Sequence, residues 1–145
     1  MSKRILIKFE KTTTELAMAT RDLETVLVEE TESLLNSMRQ CGFFYRGKLR
    51  FDPTTWDINN GRCDDFAEAV AARVAGAESV PASAFGADLA HQVVLFGGLF
   101  YDAECHVGVA RLEDLPIAKN CGRSREDVIA ALHLPTGMTV EHGQT

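Results

Sequence analysis

The stretch His91-Gln-Val-Val-Leu-Phe-Gly-Gly-Leu-Phe-Tyr-Asp102 decides the fold. Apolar runs stand on both sides of Gly97-Gly98, and a glycine pair in this position favours a tight primed turn. The segment therefore predicts a β-hairpin in which residue 96 pairs with 99, 93 with 102 and 91 with 104. Because both faces of this hairpin are largely apolar, we expect it to lie in the middle of a sheet.

One face of the predicted hairpin carries polar groups. Cross-strand partners share a face, so this register makes Asp102 the diagonal neighbour of His91 and sets Glu104 opposite it. A buried carboxylate is costly without a partner, and either acid is within reach of the imidazole. The sequence therefore predicts a His–carboxylate pair, in which either Asp102 or Glu104 is the partner of His91. A hydrogen bond that only fixes a strand end is the structural alternative.

Cys63 stands at the start of a predicted helix over residues 63–75. The apolar stripe of this helix follows three- and four-residue steps: Phe66, Ala67, Val70, Ala71 and Val74. Backbone N–H groups in a first helical turn lower the pKa of a thiol and can stabilise an oxyanion. Asp64 and Asp65 oppose ionisation of that thiol. A buried packing role is the alternative for Cys63, as for any cysteine.

The bulk composition is that of a globular protein, and we expect a single domain over residues 1–145 with a frayed tail at 136–145. A net charge of −6 argues against nucleic-acid binding as the main function. The basic cluster at Arg46, Lys48 and Arg50 is interpreted as a solvated strand edge. No apolar run approaches the ~18 residues of a membrane span, and we expect no signal peptide. We therefore expect a cytoplasmic protein with free thiols and no membrane partner.

The four cysteines lack the C-x-x-C spacing of zinc ribbons, so we predict no metal and no cofactor. A cluster in space of Cys105, His106, Cys121 and Cys63 is the one metal-binding alternative. His106 is also a second candidate base. We expect Cys41 to be a buried packing residue and His133 and His142 to be solvated.

The other elements place this unit in an α+β fold. We expect a short strand or an extended arm at residues 4–9, an amphipathic helix from Thr14 to Cys41, a loop-rich segment from 43 to 61, and short extended pieces around Pro81. The sequence LEDLP at 112–116 predicts one helical turn, and Ser124 is expected to cap a last helix. Helices therefore flank the sheet on both the N- and C-terminal sides.

Three segments together carry a resemblance: Gly61-Arg-Cys63-Asp-Asp-Phe-Ala, His91 on a strand, and Gly98-Leu-Phe-Tyr-Asp102-Ala-Glu. They resemble the transglutaminase-like and papain-like cysteine peptidase superfamily over roughly residues 56–116. The strings GRCDDFAEAVA, YDAECHVGV and LEDLP are similar to small uncharacterised bacteriophage proteins. The resemblance implies a Cys-headed helix packed on an antiparallel sheet, and a catalytic triad of Cys63 as nucleophile, His91 as general base and Asp102 as orienting acid.

The resemblance also implies an oxyanion hole. One donor would be the backbone N–H of Cys63, and the second would come from the preceding loop, where Asn59 and Asn60 are candidates. Asp57 stands where papain-like enzymes carry a glutamine, six residues before the cysteine. Trp56 is a candidate wall of the substrate groove, and a residue covering a core edge is its alternative.

These features predict a thiol-dependent acyl-transfer enzyme, a peptidase, amidase or deamidase acting on a peptide or protein. The substrate site is expected to use the loops 43–62 and 77–90. The alternative is a non-catalytic phage protein on the same fold that binds a host protein, with the triad residues kept for structure. For a phage-encoded protein the expected location is the host cytoplasm.

Overall fold

The computed structural model describes residues 13–132, which form a mixed α+β fold, as predicted. The helices are α1 (Thr13–Cys41), α2 (Thr55–Asn59), α3 (Cys63–Arg73), α4 (Pro116–Lys119) and α5 (Arg125–Leu132). The strands are β1 (Phe43–Tyr45), β2 (Lys48–Arg50), β3 (Glu78–Pro81), β4 (Gln92–Phe96), β5 (Leu99–Asp102) and β6 (Cys105–Val109). Two 3-10 turns span Ala82–Phe85 and Leu112–Asp114. The predicted strand or arm at 4–9, the tail 136–145, His133 and His142 lie outside the described residues.

The central hairpin forms as the glycine pair predicts. Strand β4 pairs with β5 in antiparallel register, with Phe96 opposite Leu99. Gly97 and Gly98 have φ values of 59° and 80°, the left-handed conformation that a type I′ turn requires at both positions. The strand order β3-β4-β5-β6 places this hairpin in the middle of the sheet, which confirms the expectation from its two apolar faces.

The pairing of residue 91 with Glu104 is wrong. Strand β5 ends at Asp102, which pairs with Cys105 at the start of β6. The chain therefore reverses at residues 103–104, and Glu104 lies in this turn instead of opposite His91. The hairpin pattern alone did not reveal how soon the next strand begins.

Both faces of the sheet are covered. Helix α3 packs on β3, β4 and β5, and α1 packs on α3 and β6. The helical side buries a core that includes Leu23, Leu27, Phe66, Val70, Val94 and Tyr101. The opposite side buries a smaller cluster of Ala82, Val93, Phe100, Cys105, Leu112 and Leu115. Burying each large apolar side chain contributes about 1.5–3 kcal/mol, so the position of α3 over the sheet is strongly determined.

The segment before α3 is more ordered than predicted. Strands β1 and β2 pair as a small hairpin whose turn contains Arg46 and Gly47, with φ values of 50° and 77°. Helix α2 then leads into the turn before Cys63. Cys41 is exposed, so its predicted burial is wrong; Met38, one turn earlier in α1, occupies the buried position.

The C-terminal part follows the sequence pattern closely. Ser124 caps α5 by accepting a hydrogen bond from the Asp127 N–H at 3.2 Å, as predicted. The LEDLP segment forms the predicted single turn. None of the helices within residues 13–132 combines the length and the apolar character needed to cross a membrane.

Candidate active site

Cys63 is the first residue of α3, and its side chain is half-buried. Its Sγ accepts a hydrogen bond from the backbone N–H of Gln92 at 3.5 Å. This donor brings the segment after His91 against the start of α3 and favours a charged sulfur. Gln92 was not predicted as a site residue, because a backbone N–H is present at almost every position and has no sequence signature.

His91 and Asp102 form a buried pair. The distance from His91 Nε2 to Asp102 Oδ2 is 3.0 Å, and the two side chains are 0% and 2% exposed. The second carboxylate oxygen, Oδ1, accepts the backbone N–H of Glu104 at 2.9 Å. The structure therefore selects Asp102 as the partner of His91. Glu104 supports that acid through its main chain.

The free nitrogen of His91 determines how the ring can act. Nε2 is committed to Asp102, and Nδ1 is buried without a hydrogen-bond partner within residues 13–132. The Cys63 thiol is close enough to the ring for each group to alter the pKa of the other. Nδ1 is thus the atom available to exchange a proton with Sγ.

The pKa shifts of the two groups support each other. Interaction with His91 lowers the pKa of the Cys63 thiol and outweighs the opposing effects of burial and of Asp64. Burial acts to lower the pKa of His91, but the hydrogen bond to Asp102 and the contact with Cys63 outweigh it and raise this pKa to about 9. Because the two groups titrate as a pair, both shifts favour a thiolate beside an imidazolium.

We expect the imidazole of His91 to titrate near pH 9 in the folded protein. NMR of ring-labelled histidine can measure this, and Cys63→Ala and Asp102→Asn should each lower the value. His106 is an internal reference, since burial lowers its pKa. Because the pKa of His91 is higher in the folded than in the unfolded protein, its protonation stabilises the fold. This stabilisation is complete below the unfolded-state pKa of about 6.5 and is lost as the pH rises through about 9. A His91 pKa at or below 6.5 would contradict the ion pair.

The two asparagines proposed for the oxyanion hole contact other groups. Asn59 is buried and donates from Nδ2 to Glu104 Oε1 at 2.9 Å, while its Oδ1 has no partner among the described residues. Asn60 donates to the carbonyl of Trp56 at 2.8 Å. The Asn59 contact joins α2 to the turn that holds Asp102. The oxyanion role of both side chains stays a prediction.

Asp57 anchors the segment before Cys63. It forms a two-pronged ion pair with Arg125 of α5, at 2.7 Å and 3.0 Å, and both side chains are almost fully buried. Its Oδ2 also accepts the N–H and the hydroxyl of Thr54, at 2.7 Å and 3.0 Å. Arg125 donates further to the carbonyl of Asp52 at 2.7 Å. At the position of the papain-like glutamine this chain therefore has a structural ion pair.

A cleft of about 650 Å³ lies beside Cys63 and is lined mainly by residues 81–92. Of the two loops expected at a substrate site, 77–90 is the one that borders this cleft. The 43–62 segment instead lines a separate pocket of about 330 Å³. Trp56 belongs to that second pocket and packs edge-on against Tyr45, with ring centroids 5.9 Å apart.

The remaining titratable candidates lie elsewhere. His106 bonds through Nε2 to the Thr31 hydroxyl at 3.1 Å, which links β6 to α1. Burial raises the pKa of the Cys105 thiol, and Cys121 is exposed. Within residues 13–132 no group of three or more His, Cys, Asp or Glu side chains is placed to hold a metal ion.

Protein-family models, curated proteins and solved structures show no match to this chain. What the site can do therefore follows from its own atoms. It combines an ionisable thiol at a helix start, a proton carrier beside it, and a buried acid that fixes the carrier. Such a set is suited to nucleophilic attack on a carbonyl carbon followed by proton transfer.

Proposed function

We propose that this protein is a thiol-dependent acyl-transfer enzyme of the peptidase, amidase or deamidase class. The observation that carries the proposal is the orientation of His91, whose Nε2 binds the buried Asp102 while Nδ1 is left for Cys63. A histidine that only fixed a strand end would need no unpaired nitrogen beside a half-buried thiol. A buried nitrogen without a partner costs stability, and a catalytic role is one reason for a protein to keep such a group.

In the proposed reaction the Cys63 thiolate attacks the carbonyl carbon of an amide. The resulting oxyanion accepts the backbone N–H of Cys63, which lies in the first turn of α3. His91 gives its Nδ1 proton to the leaving amine, and the C–N bond breaks to leave a thioester. Water then attacks the thioester and loses a proton to His91, and the acid product leaves the sulfur. An amine in place of water gives transamidation by the same steps.

We also propose that the fold has a papain-like or transglutaminase-like core. Helix α3 begins with the nucleophile and packs on the antiparallel sheet, His91 directly precedes β4, and Asp102 ends β5. This chain order is the one that the sequence resemblance implies. The relation to bacteriophage proteins and the cytoplasmic location remain predictions.

We expect iodoacetamide to alkylate Cys63 at pH 6.5 at least about tenfold faster than Cys41 and Cys121. An ordinary thiol is only ~1% ionised at this pH, whereas the lowered pKa of Cys63 gives a larger thiolate fraction. Peptide mapping by mass spectrometry measures all four rates in one sample. Cys41 and Cys121 are matched controls, since both are exposed and Cys63 is not. His91→Ala should remove the difference.

An equal or slower rate at Cys63 than at the two exposed cysteines would contradict a nucleophilic role. Turnover separates an enzyme from a merely reactive thiol. Repeated release of p-nitrophenol from p-nitrophenyl acetate, lost in both Cys63→Ser and His91→Ala, is the expected result. A single release per thiol without a steady phase would argue against hydrolysis.

A second candidate function, partner binding without turnover, is favoured by the hairpin β1–β2. Its side chains Phe44 and Leu49 are 75% and 51% exposed and stand directly opposite each other, and Phe51 follows with 55% exposure. Exposed apolar side chains grouped in this way are typical of interaction surfaces. In this case Cys63 would show ordinary reactivity and Phe44→Ser would weaken partner binding.

A further inference from the structure

The cleft beside Cys63 is acidic. Asp64 directly follows Cys63 in α3, and Asp88 lies in the loop before β4 that supplies much of the cleft lining; both side chains are exposed. His91 is the one basic residue among those described as lining the cleft. A cleft with unbalanced carboxylates raises the local concentration of cations and repels anions.

The two carboxylates lack the partners that neutralise their neighbours. Asp65 forms an ion pair with Arg62 at 3.2 Å, whereas Asp64 only accepts the Asp65 N–H at 3.0 Å. Neither Asp64 nor Asp88 has an ion-pair partner within residues 13–132. Asp64 also raises the pKa of the adjacent thiol and so works against the nucleophile. Contact with a substrate would explain a carboxylate at this position.

The cleft borders a second pocket. Ala87, Asp88 and Leu89 line both the cleft and a neighbouring pocket of about 230 Å³, whose other walls include Leu112 and Ala118. The cleft and this pocket therefore adjoin along residues 87–89. A peptide segment bound along the 87–89 loop lies beside Asp88, so this carboxylate can act on a substrate side chain there.

We propose that the cleft selects a cationic peptide segment, with a lysine or arginine side chain beside the reacting carbonyl and within reach of Asp64 and Asp88. This inference rests on the proposed function, since it assigns the substrate class of the same site. The two acids are specificity residues. They contact the substrate and take no part in the bond changes at Cys63.

Charge-selective thiol modification tests the proposal without a known substrate. Methanethiosulfonates with a trimethylammonium or a sulfonate end react alike: the thiolate attacks the sulfenyl sulfur, a mixed disulfide forms and methanesulfinate leaves. In a Cys41→Ser/Cys121→Ser protein, the cation-to-anion rate ratio at Cys63 should exceed that of 2-mercaptoethanol at least about tenfold at low salt. Added salt should reduce this excess.

Substitution of each acid should lower the ratio. A unit charge about 7 Å away in water changes a rate roughly 2.7-fold, in opposite directions for the two reagents, so Asp64→Asn and Asp88→Asn should each lower the ratio about sevenfold. Glu78→Gln is the matched control, an exposed acid at the far end of β3. A short oligolysine peptide should also slow iodoacetamide alkylation of Cys63, whereas oligoglutamate should not.

A ratio equal to that of 2-mercaptoethanol, or one that both acid variants leave unchanged, would overturn the inference. The neutral reagent keeps this outcome distinct from failure of the proposed function. If Cys63 reacts with iodoacetamide no faster than an ordinary thiol, the acyl-transfer proposal is contradicted whatever the charge ratio. If it reacts fast but without charge selectivity, only the cationic substrate class is excluded.

Discussion

Asp102→Asn should lower the rate of Cys63 alkylation at pH 6.5 by at least about tenfold while the protein stays folded. The reason lies in the two bonds that Asp102 makes. Its Oδ1 accepts the Glu104 N–H at 2.9 Å, and its Oδ2 faces His91 Nε2 at 3.0 Å. In the variant the amide oxygen keeps the bond to the Glu104 N–H, so the NH₂ group faces Nε2.

This orientation of the amide puts the imidazole in the wrong tautomer. Nε2 must then accept a hydrogen bond, so the single proton of the neutral ring moves to Nδ1. A ring with Nδ1–H cannot take the thiol proton, and without the negative charge of Asp102 the imidazolium is less stable. Cys63 therefore loses the partner that lowers its pKa. The pH dependence of alkylation should shift toward that of an ordinary thiol.

Glu104→Gln is the control that separates the two acids. The main-chain N–H that binds Asp102 is unchanged, and a glutamine oxygen can still accept the Asn59 amide, now 2.9 Å from Glu104 Oε1. We expect the alkylation rate to change less than about twofold. A large loss in Glu104→Gln together with none in Asp102→Asn would transfer the orienting role to Glu104 and contradict the arrangement described here.

Sequence predicts well those parts of this fold that are determined by residues close together in the chain. Gly97-Gly98 determines both the turn and the register of β4 with β5, because positive φ at both positions forms a type I′ turn, whose twist matches that of the strands. Cys63 at the start of α3 follows from the turn before it and the apolar stripe after it. The hairpin pattern alone left Asp102 and Glu104 as alternatives, because the choice between them depends on where β6 begins.

The parts that sequence missed depend on distant or main-chain groups. Arg125 and Asp57 pair across 68 positions, and no local pattern links them. The Gln92 N–H contact with Cys63 has no signature in the side chains. The hairpin β1–β2 was missed because its turn contains Arg46 at positive φ, where Asn or Gly is the usual residue.

Arg125→Met should lower the free energy of unfolding by about 3–5 kcal/mol. The Arg125 side chain is 2% exposed and binds both oxygens of Asp57, whose side chain is 3% exposed. Without Arg125 this carboxylate stays buried with only the Thr54 donors. Urea unfolding followed by circular dichroism measures the change. Arg111→Met is the surface control, because the Arg111–Glu113 pair is exposed, and we expect no measurable change there.

The double variant Asp57→Asn/Arg125→Met tests the cause of this loss. Replacing the carboxylate by a neutral amide removes the unpaired buried charge, and the amide oxygen can still accept the Thr54 N–H. We therefore expect the double variant to be more stable than Arg125→Met alone, with an interaction free energy of about 1–3 kcal/mol between the two sites. Purely additive losses would instead attribute the effect of Arg125 to packing against Phe43 and Tyr45, which its guanidinium also contacts.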